Sequence, residues 1–351
     1  MKEVSTALAT HLAGPVTTLA TCWSITRRDG ARFRFTDHDR DITFDGEVYL
    51  ARFGYARTAV TSDAQLAVDN LDVDGFFDDE AITEADMRAG LFDYAEVRLF
   101  LVNWADPAMG ALRLRRGWLG ELMITENGMF RSELRGLTQA LQQEIGELYS
   151  AECRADLGDP RCKVPVLPTV ILRATAYAVG AMMRVPLYAS PWPYGAVVFR
   201  CTGAGTTEAA QPAYDATIGA GTLDGTATFV AEAALTRPGE VLTVSARTVF
   251  IATVGGADVA ADWFAGGVLT WVNGPNAGRA IEVKTWNSET GQFELYLPVG
   301  YAIEAGHVFR VAPGCDKRLA TCKTKFANVL NFRGEPFVPG VDSILSYPDA
   351  S

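Results

Sequence analysis

The sequence predicts a mainly β fold with few helices, and three observations carry that prediction. Short runs of alternating apolar and polar residues recur, as where Val97, Leu99 and Leu101 are set against Glu96, Arg98 and Phe100. Turn signals such as Asp45-Gly46 and Asn127-Gly128 separate such runs. Glycine fills 33 of 351 positions and several stretches are rich in Thr, which suits strands and tight turns better than helices.

The first element is a helix all the same. Ser5 is placed to cap a short amphipathic helix that Gly14-Pro15 stops. Residues 17–25 and 32–36 read as strands, and residues 44–49 as part of a hairpin around Asp45-Gly46. Residues 65–72 alternate, with Leu66 and Val68 on one side. Thr83 caps a second short helix over residues 83–89, with acids in its first turn and Gly90 behind it. Residues 118–124 and 129–137 pair around Asn127-Gly128, and residues 138–148 read as a helix.

Composition changes after Cys162. The stretch VPVLPTV resembles a linker, and residues 174–232 are poor in charge and rich in Gly, Ala, Thr and aromatics. Short strands between Gly-containing turns there suggest a small β module. Alternation resumes over residues 248–311, with strands at 268–272, 280–285 and 293–297 around a loop at 273–278. The expected layout is therefore three β-rich regions, 1–164, 165–240 and 241–351, and a chain of this length supplies cores for two or three domains.

The net charge of -11 argues against a surface that clings to nucleic acid, which needs clustered Lys and Arg. No run of about 18 apolar residues is free of charges and breakers, so no membrane span is expected. The N-terminus, interrupted by Glu3 and His11, makes a poor signal-peptide core. Folding in a reducing cytoplasm is the expectation, and disulfides are uncommon there.

Four cysteines form the most informative pattern. Cys153 and Cys162 lie in ECRADLGDPRCKV, and Cys315 and Cys322 lie in GCDKRLATCKTKFANVLNFRGEPFVPG. Four thiolates from two loops can hold one metal centre, and an S4 site suits zinc or an iron–sulfur cluster. The spacings, C-x8-C and C-x6-C, match neither the usual zinc pairs nor ferredoxin runs, so spacing alone leaves a metal centre, free thiols and disulfides all open. Arg154, Arg161, Lys163, Lys317 and Lys323 flank the thiols and would offset an anionic centre. Cys22, beside Trp23, and Cys201, at the end of VVFRC, read as small apolar core residues outside the site.

Other patterns point to no chemistry. Asp37, Asp39 and Asp41 have the opening spacing of a calcium loop, but Ile42 replaces the required Gly and no Glu occupies the twelfth position. With His38 and Asp45 they read as a solvated acidic hairpin. His11, His38 and His307 belong to no metalloprotease motif, and neither a nucleophile elbow nor a P-loop occurs. Trp192, Tyr194, Phe199 and Tyr214 read as the core of the small module ahead of a sugar-stacking platform.

The C-terminal cysteine segment resembles the signature of the phage tail-tip hub protein family, which includes the hub of the phage-like gene transfer agent of alphaproteobacteria. FRFTDHDRDITFDGEVYLA, ECRADLGDPRCKV and DWFAGGVLTWVNGPNAGRAIEVK fit the same family. Together these passages run from about residue 30 to 340 and leave only the 165–240 region outside. The resemblance implies a structural virion protein of the tail tip, not an enzyme, assembled in the host cytoplasm. It implies tail-tube-like β-barrel domains in regions 1–164 and 241–351, with 165–240 as an inserted module of carbohydrate-binding type. It implies a homotrimeric, pseudo-hexameric ring between the distal tail protein and a central fibre or spike protein. The tape measure protein is a further candidate partner, and DNA passes without sequence-specific binding. An acidic loop facing that channel would repel phosphates. Related tail-tip proteins bind a [4Fe-4S] cluster, and the matching positions here are Cys153, Cys162, Cys315 and Cys322, with zinc as the second choice. Two other classes remain: an iron–sulfur electron-transfer protein, and a carbohydrate-binding or carbohydrate-degrading tail component.

Overall fold

In the computed structural model the chain divides into two units, Met1–Ile145 and Gly146–Ser351. The structure describes residues 4–51, 56–57, 71–76, 82–124, 129–136, 146–186, 196–256 and 259–337.

The first unit opens with helix α1 (Thr6–Leu12), whose first turn is closed by the Ser5 hydroxyl accepting from Leu8 N–H at 3.1 Å. Strands β1 (Leu19–Thr26), β2 (Arg32–Thr36), β3 (Ile42–Phe44) and β4 (Glu47–Ala51) follow. The β3–β4 turn is Asp45-Gly46, and both residues take positive φ, 52° and 77°, as a two-residue hairpin of this kind requires. Strands β5 (Ala56–Arg57) and β6 (Leu71–Phe76) precede helix α2 (Glu84–Arg88), capped by Thr83 accepting from Asp86 N–H at 3.1 Å. Strands β7 (Glu96–Asn103), β8 (Ala111–Ile124) and β9 (Met129–Arg135) complete one nine-stranded sheet, ordered β3-β4-β2-β1-β7-β8-β9-β6-β5. Among the described residues this sheet does not close into a barrel; β3 and β5 are its edges.

Both faces of β7 are buried. Val97 and Leu99 pack with Trp23, Ile25, Phe35 and the α2 region, whereas Phe100 and Val102 pack with Cys22, Ile42 and Tyr49 under the β3–β4 hairpin. A register shift against β8 falls between Leu99 and Phe100, a local bulge where the second core begins. Leu101 is only half-buried, although alternation groups it with Val97 and Leu99.

The second unit holds two β assemblies. The smaller comprises β10 (Thr169–Val170), β11 (Ala176–Tyr177), β12 (Met182–Arg184), β13 (Val197–Gly203), β14 (Gly205–Thr206), β15 (Gly221–Asp224) and β16 (Ala227–Ala233). Five of these form a sheet ordered β10-β12-β13-β16-β15, and β11 pairs with β14. Phe199, Cys201 and Phe229 are fully buried in its core, and the Tyr214 ring packs 4.8 Å from that of Phe199. These two expected aromatics are core residues; Trp192 and Tyr194 lie outside the described residues.

The larger assembly comprises β17 (Arg237–Ala246), β18 (Val249–Val254), β19 (Val268–Trp271), β20 (Ala280–Trp286), β21 (Gln292–Leu295) and β22 (Val308–Val311). Strand β17 pairs with β18 on one side and β22 on the other, which closes a six-stranded barrel. Its interior is aromatic: Phe293 lies 5.4 Å from Phe250 and 5.3 Å from Phe309, beside Trp271 and Phe264. Gly239 makes room for that packing, because a Cβ there would stand 2.3 Å from the Phe309 ring. A six-residue helix, α3 (Leu319–Thr324), follows the barrel.

Residues 146–164 group with the second unit, and the backbone of Ser150, Cys153 and Arg154 bonds to residues beyond 316. In its described part the sheet of the first unit is open. The strand expected at 65–72 is described only as β6 from Leu71, and of the helix expected at 138–148 only residues 146–148 are described, without regular structure. No described helix is long and apolar enough to cross a membrane.

Candidate functional site

The first cysteine loop is folded by one carboxylate. Asp159 Oδ1 accepts from Cys162 N–H at 2.6 Å and from Arg161 N–H at 2.9 Å. These bonds, led by that of Cys162, hold the Asp159 carboxyl down to about 2. Gly158 and Lys163 both take positive φ, 84° and 61°, so the chain reverses on either side of the Asp159 turn.

The second cysteine segment is tied to the first by backbone. Cys153 N–H donates to Lys317 C=O at 2.8 Å, Arg154 N–H to Arg333 C=O at 3.0 Å, and Glu335 N–H to Ser150 C=O at 2.7 Å. Side chains reinforce this clamp. Arg154 meets Glu335 through two bonds of 2.5 and 2.7 Å. Lys317 Nζ reaches Ala155 C=O at 2.6 Å and the Asp156 carboxylate at 2.7 Å. Asn328 completes it: its amide donates to Cys162 C=O at 2.6 Å while its own N–H donates to Cys322 C=O at 3.0 Å.

Cys153, Cys162, Cys315 and Cys322 all line one cavity, with Ala155, Leu157 and Phe326 among its walls. The free space is about 10 Å³, room for one water. None of the four is in a disulfide. Cys162 and Cys322 are buried and the other two half-buried. Arg333 N–H points at Cys153 Sγ at 3.3 Å, the type of donor that stabilises a thiolate or an inorganic sulfide. Burial pushes the Cys315 and Cys322 thiols up, and the neighbouring cysteines add to this at Cys322. Among the described residues no three His, Cys, Asp or Glu side chains are close enough to grip a single metal ion. The four cysteines thus meet around one small space.

Of the five flanking cations, only Lys317 lines the cavity, and Arg318 joins it there. Arg154 and Arg161 are engaged by carboxylates, Glu335 for the first and Asp159 with Glu147 for the second. Sequence reasoning missed Asn328 and Lys325. Lys325 Nζ caps the carbonyls of Trp263 and Gly314 at 2.6 and 2.8 Å and lies 4.6 Å over the Trp263 ring. Neither residue carries a motif, and each is recognisable only by its partners.

Cys22 and Cys201 are fully buried in separate cores. Burial raises both thiols, Cys22 to about 11. The acidic hairpin uses its carboxylates as staples: Asp37 accepts from Thr21 N–H at 2.6 Å and Asp41 from Ala51 N–H at 2.7 Å. All three histidines hold turns locally, His11 by accepting from Thr18 N–H at 3.0 Å, His38 from Arg40 N–H at 3.1 Å and His307 from Glu304 N–H at 3.1 Å.

The net charge conceals one basic cluster. Strand register sets Arg34, Ser24, Arg98 and Arg116 side by side across β2, β1, β7 and β8. With Arg32, Arg113 and Arg115 this row lines a cleft of about 760 Å³ in the first unit, where, among the described residues, Asp45, Glu47 and Glu96 supply the carboxylates. Glu96 pairs with Arg98 and Arg116, and Glu47 with Arg34.

Residues 5–165 match the family described as baseplate hub protein, N-terminal attachment domain. Residues 262–342 match the family described as phage conserved hypothetical protein BR0599. The chain is similar to a solved structure from the virion of a native gene transfer agent particle. The two are 34% identical over 99% of this chain and 97% of that one, with a TM-score of 0.68. No curated protein matches the chain.

Proposed function

Because the chain belongs to the baseplate hub family, structural proteins of the virion tail, we propose that its four cysteines hold a [4Fe-4S] cluster that locks the hub. One observation carries this reading: the four cysteines, from loops more than 150 residues apart, line a single cavity and form no disulfide. The donor set is all sulfur, which suits iron–sulfur clusters and zinc. The resemblance of both cysteine segments to those of cluster-binding tail-tip proteins favours the cluster over zinc. When bound, the cluster supplies cross-linking metal–thiolate bonds. The chain's own part is to present the thiols, donate Arg333 N–H toward Cys153 and keep Lys317 and Arg318 beside the charge. Cluster binding would displace the protons that burial holds on Cys315 and Cys322.

The hub would act as a homotrimeric ring around the DNA channel, between the distal tail protein and a central fibre or spike protein, opening for DNA ejection on host contact. Among the described residues β3 and β5 are the edges of the first unit's sheet, and a ring neighbour can add to such an edge. Leu148, Tyr149, Leu330 and Phe337 are more than four-fifths exposed on the two clamped segments, and exposed apolar groups of this size mark contact surfaces. The test is anaerobic purification with visible absorbance, iron and sulfide assays and sedimentation. About four irons and four sulfides per chain in a trimer support the reading. Colourless protein with zinc or no metal removes the cluster, and a strict monomer removes the ring.

A further inference from the structure

Strand register decides which arginines of the first unit share a face. Ser24, Arg34, Arg98 and Arg116 form one cross-strand row. Thr26, Arg32, Glu96 and Trp118 form the next, and Cys22, Thr36, Phe100 and Arg113 a third. Cys22, Ser24 and Thr26 are alternate residues of β1, so all three rows point to the same side of the sheet. The β3–β4 hairpin packs over the third row, with the Phe44 and Tyr49 rings each 5.4 Å from that of Phe100. The cleft of about 760 Å³ opens beside it, lined by Arg32, Arg34, Arg98, Arg113 and Arg116 of this face.

Three of these guanidiniums already hold carboxylates. Glu96 pairs with Arg98 and, at 2.9 Å, with Arg116, and Glu47 pairs with Arg34 at 2.8 Å. Arg116 and Arg98 together hold the Glu96 carboxyl below its usual range. Arg32 and Arg113 are exposed, and among the described residues no carboxylate pairs with either. The face therefore accepts carboxylates between its arginines and keeps two guanidiniums open, one at each end of the cleft.

We propose that this cleft docks an extended acidic segment of a partner protein, with Arg32 and Arg113 each taking a carboxylate at one end of the segment. The guanidinium fork matches the two oxygens of a carboxylate. Arg32 and Arg113 stand three strands and four residues apart in the register. At about 4.8 Å per strand and 3.3 Å per residue that is roughly 20 Å, the span of about six extended residues. Charge complementarity selects a peptide over nucleic acid. Carboxylates placed at the two ends meet the two unpaired arginines. An unbroken row of phosphates would cross Glu47 and Glu96 as well, and the net charge of -11 repels it at longer range. The proposal rests on the arginine face alone and on neither the cluster nor the ring.

The experiment titrates the full-length protein into end-labelled acetyl-Glu-Glu-Thr-Ser-Thr-Glu-Glu-amide at low ionic strength, read by fluorescence anisotropy. Acetyl-Thr-Glu-Glu-Glu-Glu-Ser-Thr-amide, of the same composition with its charges clustered, and a short oligothymidine are run beside it. The expected result is saturable binding of the first peptide, at least threefold weaker binding of the clustered one, and at least tenfold loss in the double variant Arg32→Gln, Arg113→Gln. The double variant Arg28→Gln, Arg40→Gln removes the same charge outside the cleft and is expected to keep its affinity. No binding of the first peptide overturns the proposal, as does equal binding of the clustered peptide, unchanged affinity in the cleft variant or an equal loss in the control variant. Tighter oligothymidine, lost in the cleft variant, would assign the face to nucleic acid and overturn it too. Loss of self-association in the cleft variant, seen by sedimentation, would give the face to a second copy with the same result. Should the cleft variant fail to fold, Arg98→Gln is the second variant and must also weaken binding.

Discussion

Arg154 and Glu335 face each other through two parallel hydrogen bonds although 181 residues separate them. The pair sits beside backbone bonds from Arg154 N–H to Arg333 and from Glu335 N–H to Ser150. Glu335→Gln keeps the shape and loses the charge. It is expected to loosen the clamp, seen as several-fold faster tryptic cleavage at Arg333 near neutral pH. Unchanged cleavage would show that the backbone bonds suffice.

The cysteine cavity makes a discriminating prediction. On the proposed cluster reading, serine at Cys153, Cys162, Cys315 or Cys322 is expected to strip most of the iron and to lower the unfolding free energy of the second unit by several kcal/mol, since metal binding is folding free energy. Serine at Cys22 or Cys201 is expected to leave iron unchanged, because these thiols lie in separate cores. Iron loss at Cys201→Ser without loss at Cys322→Ser would refute the assignment.

The fold was legible where the information is local. The Asp45-Gly46 hairpin and the Ser5 and Thr83 caps depend on neighbours within a few residues, and each formed as read. The four cysteines were legible as a set because thiols in Gly- and Pro-bearing loops are conspicuous. Asn328 was not, because its importance comes from the Cys162 carbonyl 166 residues away. The arginine row was hidden for the same reason: Arg34, Arg98 and Arg116 become neighbours only once the register is set.

Asp224 gives a pH-dependent test. It is fully buried and takes two 2.6 Å bonds from Arg173, one of 2.7 Å from the Tyr214 hydroxyl and one of 2.8 Å from Glu208 N–H. Burial alone would raise its carboxyl, but these donors, led by Arg173, hold it below the usual range. A carboxyl depressed in the folded state stabilises fully above its unfolded value, about 3.9, and loses that contribution as pH falls through the folded one. Stability of the small module is therefore expected to be flat above about pH 5 and to fall in acid. Asp224→Asn should cost about 3–5 kcal/mol at pH 7 and flatten the acid slope, as measured by denaturant titration at several pH values.

Gly314 has no space for a side chain. A Cβ there would stand 1.6 Å from Ala265 C=O, in the segment where Gly314 N–H bonds Trp263 C=O. Gly314→Ala is expected to cost about 1–3 kcal/mol and, on the proposed cluster reading, to reduce iron retention at the adjacent Cys315. Wild-type melting and iron content in this variant would show that the segment relaxes without loss.

The Ser150–Glu335 and Cys153–Lys317 bonds bring the entry and exit of a long excursion to one place. Closing such a circuit depends on its length only logarithmically, and doubling the length adds only about 0.6 kcal/mol. The contents of the circuit are thus nearly independent of its fastening. A module such as residues 165–240 can therefore change in length at little entropic cost while the same few atoms secure the ends.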